Sequence, residues 1–131
     1  MRPMRPIVFA LGLASAVASG FQPLSDAQIE KLLVGRWKHE QSEDNAVTEY
    51  RDDGTFVGTG SVDRIEGTVK IRVSGRWKVS DGEVIEVVEK CEPAGIPPGT
   101  TLYDRVLELN TNTFRYRTER GIETTKTRLN N

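Results

Sequence analysis

One cysteine and one histidine in 131 residues leave little reactive chemistry to work with. Cys91 has no second thiol, so no internal disulfide can hold the fold. His39 has no second imidazole, and no group of Cys and His shows metal-ligand spacing, so neither a metal nor a cofactor is expected. A thiol–imidazole catalyst would need Cys91 and His39 to meet, and no signature supports that. His39 reads instead as a strand-end residue near the surface, and Cys91 as a half-buried small hydrophobe. No glycine-rich phosphate loop precedes a helix. With no catalytic residue to name, the chain reads as non-enzymatic. Charge of one sign is missing too. With 18 basic and 19 acidic side chains, no global field exists to hold nucleic acid or an anionic membrane.

Long apolar runs are also scarce. The uncharged stretch from Ile7 to Ala18 follows Arg2 and Arg5 and ends in Ala16-Val17-Ala18. Positive, apolar and small-residue segments in that order read as a secretory signal peptide, residues 1–18, with Gly20 as a second cleavage point. The run falls short of the roughly 20 apolar residues a membrane span needs. No Cys follows it, so no lipoprotein anchor is expected and no transmembrane span should remain after cleavage. The expected location is periplasmic or secreted, in a bacterium. Losing Arg2 and Arg5 takes the net charge from −1 to −3. Residues 19–131 are then one mildly acidic domain with one modest core.

That domain is dominated by a repeat. Gly-Arg-Trp-Lys occurs at Gly35 to Lys38 and again at Gly75 to Lys78. A Trp two residues after a Gly on a strand lays its ring on the face the Gly leaves bare, which is a packing device. Ahead of the first copy, Ser25 and Gln28 form a capping-box pattern, and Ile29, Leu32 and Leu33 follow at helical spacing. Pro23 and Gly35 limit this helix to about two turns. Period two then takes over. From Thr68 to Val79, Val69, Ile71, Val73, Gly75, Trp77 and Val79 alternate with polar residues. Shorter runs at 34–40, 46–51, 55–62, 83–91, 101–109, 113–119 and 122–129 are separated by turn signals such as Asp53-Gly54 and Asp81-Gly82. Eight strands on hairpin-length links, with no room for a crossover helix, predict an antiparallel up-and-down barrel; a β-sandwich is the alternative.

A short helix followed by Gly-x-Trp on the first of eight strands resembles the lipocalin-like group of β-barrels. The second motif, Gly75-Arg76-Trp77, and Asp53-Gly54-Thr55-Phe56 in a hairpin are similar to small bacterial lipocalin-like domains of unknown function. The resemblance covers about residues 25–129. It implies that Arg128 on the last strand lies over Trp37 and closes the barrel floor. It also implies a small apolar or amphipathic ligand in the barrel mouth.

The inward residues bear on that ligand. Phe56, Gly58, Gly60 and Val62 share one face, and Phe114, Tyr116 and Thr118 another. If Ile85 and Val87 point inward, so does Glu89; if Leu107 and Leu109 do, so do Tyr103 and Arg105. Glu89, Tyr103, Arg105 and Tyr116 are therefore the candidate ligand-binding residues. Alternatively, Glu89 and Arg105 form an ordinary cross-strand ion pair in solvent. Outside, Lys70, Arg72, Arg76 and Lys78, joined by Arg115 and Arg117, make either a basic patch or a solvated face paired to Glu86, Lys90 and Glu108. Ile96, on the Pro-rich connection from Glu92 to Thr100, is either tucked under its loop or presented to a partner. Two functions remain open: a carrier with a cavity lined by Gly58, Gly60, Tyr103 and Tyr116, or a protein-interaction module whose lumen is filled by Trp37, Phe56, Trp77 and Phe114.

Overall fold

A computed structural model of the chain describes residues 23–39 and 45–130; the segment read as a signal peptide lies outside them. The first element is helix α1, Asp26–Leu33. Its start is set by the capping box: the Ser25 hydroxyl accepts from the Gln28 N–H, and the Gln28 amide oxygen accepts from the Ser25 N–H. Eight strands follow: β1 Gly35–His39, β2 Val47–Tyr50, β3 Thr55–Arg64, β4 Gly67–Ser80, β5 Glu83–Glu92, β6 Thr101–Leu109, β7 Thr113–Thr118 and β8 Glu123–Arg128. Each pairs antiparallel with its neighbour in sequence, and β8 returns to β1, so the sheet closes as a barrel. The predicted up-and-down barrel is the observed fold, and the sandwich alternative is excluded.

Closure divides the barrel into two ends. The β2–β3, β4–β5 and β6–β7 turns gather with α1 at one end, which is solid. Ile29 and Leu33 of the helix pack with Trp37, Tyr50, Phe56, Trp77, Val84, Val88 and Phe114 in one buried cluster. The rings meet edge-on, Trp37 with Phe114 at 6.0 Å and Tyr50 with Trp77 at 5.3 Å between centroids. Each indole N–H reaches a backbone carbonyl, Trp37 that of Leu33 at 2.8 Å and Trp77 that of Arg51 at 2.9 Å. Burying the two rings therefore leaves no polar atom unsatisfied. The helix is latched from outside as well. The Asp26 carboxylate accepts the N–H groups of Asp81 and Gly82, both at 2.9 Å. These two residues form the β4–β5 turn at positive φ, 52° and 76°, as a type I′ hairpin requires.

The glycines of the repeat are explained by close approach. Gly35 stands at φ +137°, and a Cβ there would collide with the Arg128 guanidinium. A Cβ at Gly75 would run into the Val87 carbonyl oxygen. That contact arises from a bulge: Ser74 pairs with Lys90 and Gly75 with Val88, so Glu89 is the extra residue on β5. A second bulge lies between Val106 and Glu108, where Leu107 is extra.

Candidate functional site

The other end of the barrel is hollow. A cavity of about 590 Å³ opens there, within the size range of small-ligand sites. Its walls come from inward positions of β3 and β4, where Gly58 and Gly60 leave space and Phe56, Val62, Ile71 and Val73 supply apolar surface. Ile96 of the β5–β6 connection is tucked into this wall and packs against the core. Leu102 and Ile122 stand at the rim, partly in solvent, 37% and 58% exposed.

The base of the cavity is polar and buried. Lys126 on β8 is 3% exposed, with its ammonium 5.1–5.7 Å from the ring centres of Tyr50, Phe114 and Tyr116. The ammonium donates to the Tyr50 hydroxyl at 3.0 Å, and that hydroxyl donates to Glu86 at 2.6 Å. Tyr50 thus bridges a cation and a carboxylate that are both out of water. Burial, the Glu86 charge and its hydrogen bond hold the Tyr50 phenol protonated, well above its usual range. Burial pulls the Lys126 ammonium down, while Glu86 and Asp104 oppose the shift. Asp104 on β6 is 9% exposed, and its carboxyl is pushed up to about 7 by burial and by Glu86, against the pull of Lys126. His39, opposite Lys126 in the β1–β8 register, is pulled down to about 4 by burial and the Lys126 charge, so it is neutral at pH 7.

The candidate residues from sequence separate here. Tyr116 lines the cavity from the inner face of β7, together with Gly58 and Gly60, whereas Tyr103 only borders it, being 37% exposed and out of phase with the inward Asp104. Glu89 and Arg105 do neither. Glu89 is the exposed bulge residue, and Arg105 faces Glu83 across the strands, with 3.5 Å between guanidinium and carboxylate. The ion pair drawn between Glu89 and Arg105 is thus replaced by one between Glu83 and Arg105. The inward phase of β5 is Val84, Glu86 and Val88, and that of β6 is Leu102, Asp104 and Val106, opposite to the phase built on Ile85, Val87, Tyr103 and Arg105. Glu86, assigned from sequence to the outer face, is therefore inside; Glu108 is outside and pairs with Arg115.

Period two had one unused signal. Placing Arg128 toward Trp37 places Lys126, two residues earlier, on the same inner face. Arg128 does lie across from Trp37 in the register, its guanidinium 4.3 Å from the ring centre. It donates to the carbonyls of Leu32, Val34 and Thr111 and so ties β8 to the end of the helix. Of the basic row, Lys70, Arg72, Arg76 and Lys78 are all exposed on β4, whereas Arg115 and Arg117 are engaged by Glu123. Cys91 is half-buried, opposite Val73, with its thiol 3.4 Å from the Pro93 carbonyl oxygen. Among the described residues no helix is long and apolar enough to cross a membrane.

A closed eight-stranded meander, plugged by a helix at one end and hollow at the other, is a lipocalin-like barrel. The chain is similar in fold to a solved lipocalin-like protein from Bacteroides uniformis, with a TM-score of 0.57 and 15% sequence identity over 75% of this chain and 99% of that one. No protein-family model and no curated protein matches it.

Proposed function

We propose that this protein is an exported, non-enzymatic carrier that holds a small apolar or amphipathic ligand in the open half of its barrel. The observation that carries the reading is the cavity itself. Trp37, Trp77 and Phe114 fill the floor, yet Gly58 and Gly60 line a hollow above it. A Cβ added at Gly58 would find only ordinary contacts, nearest the Thr48 hydroxyl at 3.9 Å, so the glycine is not required by crowding. An interaction module with a filled lumen has no use for that space. Export rests on the order of charges, apolar run and small residues in positions 2–18.

Native mass spectrometry of the protein purified from its own cell envelope tests both parts. The denatured mass should correspond to cleavage after Ala18 or Gly20; an intact chain of 131 residues would defeat the export claim. A stoichiometric small adduct, lost on denaturation, is expected of a carrier. A second polypeptide in its place would point to the interaction module.

A further inference from the structure

Resting on the carrier reading, the charges at the base of the cavity define what its ligand must bring. Three buried side chains that can carry charge at neutral pH, Glu86, Asp104 and Lys126, come together there with imbalanced signs. Lys126 is matched to Glu86 through the Tyr50 hydroxyl, which leaves Asp104 as a surplus acid. The Asp104 side chain lines the cavity, is 9% exposed, and has no hydrogen-bond partner among the described residues. Its strand register puts it diagonally across from Glu86, since Val84 pairs with Asp104 and Glu86 with Leu102. An unpartnered buried carboxyl must either stay protonated or obtain a cation. We infer that the cavity selects a ligand whose apolar body ends in a protonated amine, with the ammonium seated against the Asp104 carboxylate.

The surroundings favour this choice over a carboxylate ligand. Around Asp104 stand Tyr50 on β2, Glu86 on β5, Tyr116 on β7, Glu119 in the β7–β8 turn and Lys126 on β8; His39 on β1 and Arg120 in the β7–β8 turn line the same cavity, Arg120 from its exposed rim, and the inner faces of β3 and β4 add only uncharged side chains. His39 is neutral at pH 7 and the two phenols are held protonated. At the buried base, away from the exposed Glu119 and Arg120 of the rim, an anionic head group would meet Glu86 and Asp104 with Lys126 already engaged. An ammonium balances the site and satisfies the orphan acceptor. The titration of Asp104 supports the same picture. With its carboxyl near 7, amine binding displaces the proton below that pH and needs no displacement above it.

Calorimetric titration of the mature protein with decylamine, decanol and decanoate separates the outcomes. The three probes share one apolar chain and differ in head-group charge. At pH 8 decylamine should bind about tenfold or more tighter than either of the others, the value of one charge-assisted contact. Its affinity should fall toward tenfold per pH unit below about 7, because the amine stays protonated there and Asp104 does not stay ionised. Asp104→Asn should erase the amine preference and the pH dependence while leaving decanol binding within about twofold. Equal or tighter binding of decanoate, or an amine preference that survives Asp104→Asn, overturns the inference but leaves the carrier standing. A pH-independent decylamine affinity in the wild type overturns it without reference to the variant. Failure of all three probes to bind overturns the inference and the carrier reading together.

Discussion

At the scale of single residues, two titrations inside the barrel act on stability with opposite signs. Asp104 has its folded value raised to about 7 from an unfolded value of about 3.9, so the native state holds the extra proton. Stability from this group is complete below pH 4 and is lost as the pH rises toward 7, by at most about 1.4 kcal/mol per pH unit. His39 has its folded value lowered to about 4, so the unfolded state holds the extra proton and stability is lost as the pH falls from about 6.5 to 4. Between pH 4 and 6.5 the two slopes oppose one another. Urea denaturation of Asp104→Asn should therefore show stability rising with pH across this interval, and His39→Gln should show it falling; parallel curves for both variants would refute the assignment. Gly75 is governed by space instead of charge. Gly75→Ala should cost roughly 2–3 kcal/mol, as overpacking against rigid backbone does, and a loss below about 0.5 kcal/mol would mean the bulge relaxes freely.

At the scale of elements, the helix is joined to the barrel by two latches at opposite ends. Asp26 holds the β4–β5 turn and Arg128 holds the carbonyls of Leu32 and Val34. Asp26→Ala should cost about 1–3 kcal/mol, the range for hydrogen bonds to a charged acceptor. Hydrogen exchange at the amides of Asp81 and Gly82 should accelerate while that of β1 stays slow; unchanged exchange would show that the latch carries no load. The elements themselves were legible in the sequence. The capping box fixed the helix start, and strict alternation over Val69 to Val79 gave both the strand and its buried face. The inner faces of β5 and β6 were not legible. In Val84-Ile85-Glu86-Val87-Val88 both faces carry apolar side chains, so periodicity gives two equal answers. Bulges at Glu89 and Leu107 then reverse the phase inferred from the strand ends. Strand β8, Glu-Thr-Thr-Lys-Thr-Arg, has no apolar residue to mark an inner face, and Lys126 is buried there only because Tyr50, Phe114 and Tyr116 surround it. A polar site made from distant strands leaves little local trace.

At the scale of the whole molecule, the two ends of the barrel should answer differently to substitution. Trp37→Ala removes a fully buried ring and a 2.8 Å hydrogen bond from the floor, and should destabilise by roughly 3–5 kcal/mol in chemical denaturation. Gly58→Leu projects into the cavity from an uncrowded position and should leave the unfolding midpoint nearly unchanged while lowering ligand uptake in the same calorimetric titration. If Gly58→Leu unfolds the protein as readily as Trp37→Ala, the separation of floor and mouth is wrong. The separation has an evolutionary corollary. Side chains that hold the barrel together and side chains that meet a guest lie on the same strands but at opposite ends, so a lineage can alter the rim without eroding its margin of stability. Selectivity in such a scaffold can drift by single steps, each passing through a folded intermediate, whereas the Trp-bearing repeat at the floor has far less freedom to change.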